Sequence, residues 1–282
     1  MKIKRILVPT DFSDHSKSAM IYAMWLADNH NAKIILLHVV LPGTGDLDIP
    51  VISAGETMRR VNSAEEILKI FLDTSKKALV DMYKPRNKAQ IIFDVRVGAP
   101  VHELIQSISD NKADIVVMGT RGKHNRLDDI FGSITTSVLR KSTIPVFVIP
   151  EEIKSPGART IGFATDLDPA DAVQIWKVGQ MMAPCNPVMR VIHVCTDDEK
   201  EHTLSLEELK EFLAGRPLPL QVHFHEIKCD NVEEGLRGFV DDYQLDLLAF
   251  HSPQRNIFER LGHHSVSRSL ALFSKIPLLS LH

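Results

Sequence analysis

The stretch IVVMGTRGKHNRLDDIFGSITTSVL, residues 115–139, decides how this chain reads. Residues 115–118 are a continuous apolar run, as in a strand buried on both faces. Gly119 and Gly122 follow directly, and Gly132 and Ser133 open a helix that continues to Lys141. Strand, glycine loop and helix in that order suit anion capture. Glycines let backbone N–H groups approach phosphate oxygens, and a helix N-terminus adds partial positive charge. Ser133 and Thr135 carry hydroxyls that can donate, and Arg121, Lys123 and Arg126 lie on the loop where phosphates would be met.

Around this stretch strands and helices alternate. Residues 3–9, 34–40, 90–97 and 144–149 are the other strand candidates, rich in Val, Ile and Leu. Ser13 is positioned to cap a helix whose apolar face is Ala19, Tyr22, Ala23, Leu26 and Ala27. Residues 64–82 read as a longer helix with Ile67, Ile70 and Phe71 inward, and Pro100 fits the first turn of another. The alternation predicts an α/β fold with a doubly wound parallel sheet of Rossmann type, and ligands at the carboxyl ends of its strands.

The pattern is written twice. Val8-Pro9-Thr10-Asp11 recurs as Phe163-Ala164-Thr165-Asp166, and Leu36-Leu37-His38-Val39 as Val191-Ile192-His193-Val194, both at an offset of 155. Ala113-Asp114-Ile115 recurs as Leu245-Asp246-Leu247, and Ile144-Pro145 as Ile276-Pro277, at 132. The drop of 23 places a deletion in the second copy, opposite residues 41–54. Two tandem domains follow, 1–150 and 151–282, with residues 151–158 as linker.

Composition narrows the function. No apolar run approaches the ~20 residues of a membrane span, so no membrane partner is expected. No secretory signal opens the sequence, and three cysteines, all in the second half, favour a reducing, cytoplasmic compartment. The net charge of −3 gives no global field for nucleic acid. Residues 1–150 carry 20 Lys and Arg against 16 Asp and Glu, whereas residues 151–282 carry 13 against 20. The first half is therefore the better host for a polyanion. No Gly-x4-Gly-Lys-Ser/Thr loop and no nucleophile elbow are present. His38 reads as a core histidine, and Arg126, Asp128 and Asp129 as a solvated loop.

Gly119-x2-Gly122-x9-Gly132-Ser133 resembles the ATP-binding signature of universal stress proteins. The opening Ile6-Leu7-Val8-Pro9-Thr10-Asp11-Phe12-Ser13, the Leu36-Leu37-His38-Val39 strand and the Val97-Gly98-x-Pro100 turn are similar to the same family. The resemblance covers the first half, and in weaker form the second. It implies an adenine nucleotide (ATP, ADP or AMP) with Asp11 holding the base and Pro9, Thr10 and Val39 lining the base and ribose pocket. Met118 and Gly119 would back the nucleotide, while Arg121, Gly122, Gly132, Ser133, Ile134 and Thr135 would address ribose and phosphates. The implied role is stress-response regulation. Two alternatives stay open. One is a slow ATP-hydrolysing or self-phosphorylating enzyme, with Ser133, Thr135 or Thr136 as acceptor and Mg²⁺ bridging phosphates and water. The other is a scaffold for an unidentified protein partner, with vestigial ligand sites.

The second copy departs from the signature. Gly119, Gly122 and Gly132 become His251, Gln254 and His264, and Gly98 becomes Asp230; only Ser133 keeps its counterpart, Ser265. Three added Cβ atoms obstruct close backbone approach, so this copy is expected not to bind ATP in the same manner. Asp166, Cys195, Cys229 and His251 end its first four strands at one sheet edge, a donor set chemically suited to Zn²⁺, with His263 and His264 on the following loop. In the family the fifth strands of two domains pair. Residues 144–149 and 276–281 would then join the halves as an intramolecular pseudo-dimer, a scheme compatible with homodimers of whole chains.

Overall fold

The computed structural model describes residues 2–42, 50–120, 131–196, 204–251 and 275–282. The chain divides into two units, Ile3–Pro156 and Gly157–His282. In the first run β1 (Arg5–Pro9), α1 (Asp14–His30), β2 (Lys33–Val40), α2 (Pro50–Met82), β3 (Ile91–Val97), α3 (Pro100–Asp110), β4 (Ile115–Gly119), α4 (Ser133–Lys141) and β5 (Val146–Ile149). Their strands pair in parallel in the order β3-β2-β1-β4-β5. The second unit repeats the plan with β6 (Thr160–Ala164), α5 (Pro169–Met182), β7 (Val188–Cys195), α6 (Leu206–Ala214), β8 (Gln221–Lys228), α7 (Val232–Asp242), β9 (Leu247–His251) and β10 (Leu278–Leu281). Its order is β10-β9-β6-β7-β8, again parallel. Each unit is thus doubly wound. Winding reverses between β1 and β4, and between β6 and β9, which are the switch points where such sheets bind ligands.

Local chemistry explains several boundaries. Ser13 caps α1, its side chain accepting the Ser16 N–H at 3.3 Å. Pro100, at the first position of α3, needs no N–H there. The repeated Asp114 and Asp246 do the same work in both units. Asp114 Oδ2 accepts the N–H groups of Lys4 and Arg5 at 2.7 and 2.8 Å; Asp246 Oδ2 accepts those of Arg159 and Thr160 at 2.8 and 3.0 Å. Each carboxylate thereby satisfies backbone donors where its unit's first strand begins.

The rotation of α2 differs from expectation. Ile67 and Ile70 are 43% and 65% exposed, whereas Ala64, Leu68, Phe71, Leu72, Ser75 and Leu79 are buried. That inward stripe has correct helical spacing, but Ala64 and Ser75 weaken its apolar signal, and the two isoleucines lie on its flanks. No helix among the described residues is long and apolar enough to cross a membrane.

Candidate functional site

The edge of the first unit is built around the turn after β1. Thr10 Oγ1 accepts the Phe12 N–H at 3.0 Å, which holds Phe12 at a φ of 64°. Ser16 Oγ donates to the Ser13 carbonyl at 2.9 Å, so the Thr10 hydroxyl, 3.0 Å away, donates to Ser16. His38 Nδ1 lies 2.8 Å from the Thr10 carbonyl, which only accepts, so the ring donates through Nδ1. Its ring stacks on Phe12, with centroids 4.4 Å apart. His38 is therefore a structural clamp on the turn. The clamp recurs in the second unit: His193 Nδ1 to Thr165 O at 3.1 Å, the Leu167 N–H to Thr165 Oγ1 at 3.0 Å, and Leu167 at a φ of 59°. Asp11 follows Thr10 and is half-buried; its Oδ1 accepts the Ser13 hydroxyl at 2.6 Å and the Ser13 N–H at 3.1 Å. Pro9, on β1, and Val39, on β2, are half-buried, and Met118 is buried on β4.

Across the switch point stand the end of β4 and the start of α4. Gly119 is required by packing: a Cβ there would lie 2.8 Å from the carbonyl carbon and oxygen of His15 in α1. Thr120 donates its N–H to the Ile149 carbonyl (3.1 Å) and accepts the Gly132 N–H on its own (2.9 Å). Gly132 is the N-cap of α4. The first intrahelical bond runs from the Thr136 N–H to the Gly132 carbonyl, so the N–H groups of Ser133, Ile134 and Thr135 precede the helical ladder, as helix starts dictate. Ser133 and Ile134 are exposed. Thr135 is buried, and its hydroxyl donates to the Gly119 carbonyl at 3.1 Å, so that hydroxyl is engaged within the protein. Arg121, Gly122, Lys123 and Arg126 lie outside the described residues.

Sequence reasoning missed His15. Its Nδ1 lies 3.0 Å from Thr120 Oγ1 and its Nε2 3.1 Å from Glu151 Oε2. These partners are 105 and 136 positions away in the chain, so no local spacing announces them.

In the second unit, His251 occupies the place of Gly119 and Asp171 that of Ser16. His251 Nδ1 is 3.2 Å from Asp171 Oδ1, and Thr165 Oγ1 donates to Asp171 Oδ2 at 2.6 Å. Asp171 is 1% exposed. Burial pushes its carboxyl above the usual range; the hydrogen bonds from His251 and Thr165 pull the other way, and the nearby charge of Asp166 adds to the rise. The zinc expectation fails here. Among the described residues no three His, Cys, Asp or Glu side chains stand close enough to share a metal ion, so Asp166, Cys195, Cys229 and His251 do not form a metal set. Cys195 and Cys229 meet through backbone, the Cys229 N–H donating to the Cys195 carbonyl at 3.0 Å, and His251 is committed to Asp171. Gln254, His263, His264 and Ser265 lie outside the described residues.

Each unit is a parallel, doubly wound α/β sheet, and in the first unit the turn after β1 and the start of α4 both lie at the carboxyl ends of the strands, the edge at which sheets of this class bind ligands. A model of the universal stress protein family matches residues 2–150, and the chain belongs to that family. Universal stress protein MJ0577 of Methanocaldococcus jannaschii is 29% identical over 153 residues, covering 52% of this chain and 94% of that protein. Universal stress protein Slr1230 of Synechocystis sp. is 23% identical over 301 residues, covering 99% of both, as a tandem architecture requires. A universal stress protein from Archaeoglobus fulgidus shares the fold, with a TM-score of 0.70, 19% identity, and coverage of 98% of this chain and 95% of that one.

Proposed function

We propose that this protein is a cytoplasmic stress-response regulator that binds one adenine nucleotide, ATP or a relative, at the switch point of its first domain, residues 1–150. The observation that carries the reading is the N-terminus of α4. Its Ser133, Ile134 and Thr135 N–H groups precede the helical ladder and stand at the strand edge that also carries Asp11. Three such donors with the helix dipole behind them suit a phosphate chain. Mg²⁺ arriving with ATP would be held chiefly by phosphate and water oxygens, its usual habit. Residues 151–282 would not take part: where the first domain has Gly119, the second has His251 paired to Asp171.

Titration calorimetry of the intact chain with ATP is the test. One site per chain is expected, and Gly132→Val should abolish it, because the branched side chain stands where phosphate would approach α4. Two equivalent sites, or full affinity in Gly132→Val, would overturn the reading.

A further inference from the structure

We propose that His15 is a positioning residue for the phosphate-facing edge, acting through Thr120; this rests on the nucleotide reading above. A carboxylate only accepts, so Glu151 fixes the hydrogen of a neutral His15 ring on Nε2, at 3.1 Å. Nδ1 is then the acceptor, and the Thr120 hydroxyl donates to it at 3.0 Å. Thr120 is 4% exposed and holds both neighbours of the site: its carbonyl receives the Gly132 N–H, and its N–H is anchored on β5 through Ile149. One residue earlier, the Gly119 carbonyl receives the Thr135 hydroxyl at 3.1 Å. The end of β4 and the first turn of α4 are therefore bonded into one piece, and His15 ties that piece to α1. The backbone of His15 is also what Gly119 leaves room for. Glu151 is held in turn, since the Ser18 hydroxyl of α1 donates to its carbonyl. Glu151 to His15 to Thr120 to Gly132 is a continuous chain of hydrogen bonds ending on the N-cap of α4.

Such a chain fixes where the α4 amides point, which matters to phosphates and not to adenine. The effect should therefore divide ligands. In calorimetry on the intact chain, His15→Ala should weaken ATP about tenfold, the worth of roughly one well-placed hydrogen bond, and leave adenosine within about twofold. His15→Asn, whose side-chain oxygen can accept near the Nδ1 position, should recover most of the ATP affinity, and Thr120→Val should behave like His15→Ala. Equal loss for ATP and adenosine in His15→Ala would mean a general structural role, and unchanged ATP affinity would mean no role; either overturns the inference while leaving the nucleotide reading intact. Failure of the unaltered chain to bind ATP would remove both.

Discussion

The two domains answer one geometric question in opposite ways. In the first, β4 ends on Gly119, pressed against the backbone of α1, and the polar groups nearby include the hydroxyls of Thr10, Ser16 and Thr120 and the imidazole of His15. In the second, β9 ends on His251, and α5 answers with the carboxylate of Asp171. Each pattern is consistent within itself. A side chain at 119 would have to displace α1, whereas at 251 the added side chain is given a partner that replaces Ser16. The fold is shared, then, but at one edge β4 ends on a glycine beside the first turn of α4, and at the other β9 ends on a histidine paired with a carboxylate of α5.

Exchanging the residues should break that symmetry most severely. Gly119→His places a Cβ within 2.8 Å of His15 backbone, which cannot yield as a side-chain tip can. We expect a loss of about 3 kcal/mol, the upper part of the range for overpacking, together with loss of ATP binding. The reverse change, His251→Gly, should cost about 1–3 kcal/mol by stripping a buried carboxyl of a hydrogen bond, and should create no second nucleotide site. Urea unfolding and ATP stoichiometry of the two variants decide the matter. A second ATP bound by His251→Gly would show that one histidine alone separates the domains.

Much of this arrangement is legible in the sequence, for identifiable reasons. Strand runs of Val, Ile and Leu are unambiguous in a sheet covered on both faces. Ser13 and Pro100 obey local capping rules, and the Thr-Asp turn with its clamping histidine announces itself by recurring at a fixed offset. The rotation of α2 is illegible because small residues, Ala64 and Ser75, occupy buried positions that carry little hydropathy signal. The His15 chain and the Asp171–His251 pair are illegible because they are long-range contacts, with 80 positions between Asp171 and His251. The fixed offsets do align Ser16 with Asp171 and Gly119 with His251, so the paired replacement was present in the sequence as two separate changes. Only the fold brings them into contact. The same gap produced the zinc expectation: a common sheet edge does not ensure a common point.

A smaller effect sharpens the comparison through acid. Asp28 in α1 is 4% exposed. Burial would raise its carboxyl, but hydrogen bonds from the Tyr83 hydroxyl (2.6 Å), the Arg86 N–H (3.0 Å) and the Asn87 N–H (2.6 Å) outweigh that and hold it below the ordinary value. A carboxyl whose pKa falls on folding contributes stability that is present above its unfolded pKa, about 4, and is lost as pH drops through the folded value. Asp171 has the opposite sign. Its folded pKa is raised, so its contribution is full below about pH 4 and is lost as pH climbs through the folded value. Unfolding measured from about pH 3 to pH 6 should thus show Asp28→Asn removing acid sensitivity and Asp171→Asn removing a loss of stability on the alkaline side of that window. Identical pH profiles for the two variants would mean that the two carboxyls do not differ in the way their surroundings imply.

The smallest expected effect tests the two aspartates that the repeat makes look equivalent. Asp11 and Asp166 both follow a strand and a threonine, yet their surroundings differ. Asp11 is half-buried and accepts both the hydroxyl and the N–H of Ser13. The counterpart of Ser13 is Asp168, which caps α5 itself by accepting the Ala170 N–H at 2.8 Å. Asp166 is exposed and beside Asp171, whose carboxyl its charge helps to raise. Asp11→Ala should therefore weaken ATP by about 0.5–1.5 kcal/mol, roughly one hydrogen bond to the base, and Asp166→Ala should leave affinity unchanged. Because Asp11→Ala also disturbs the start of α1, Ser13→Ala is the needed companion: it removes the cap and keeps the carboxylate. If Ser13→Ala weakens ATP and adenosine as much as Asp11→Ala does, the aspartate acts by shaping the turn. If adenosine affinity falls only in Asp11→Ala, the carboxylate touches the base, and the first domain differs from the second in chemistry as well as in shape.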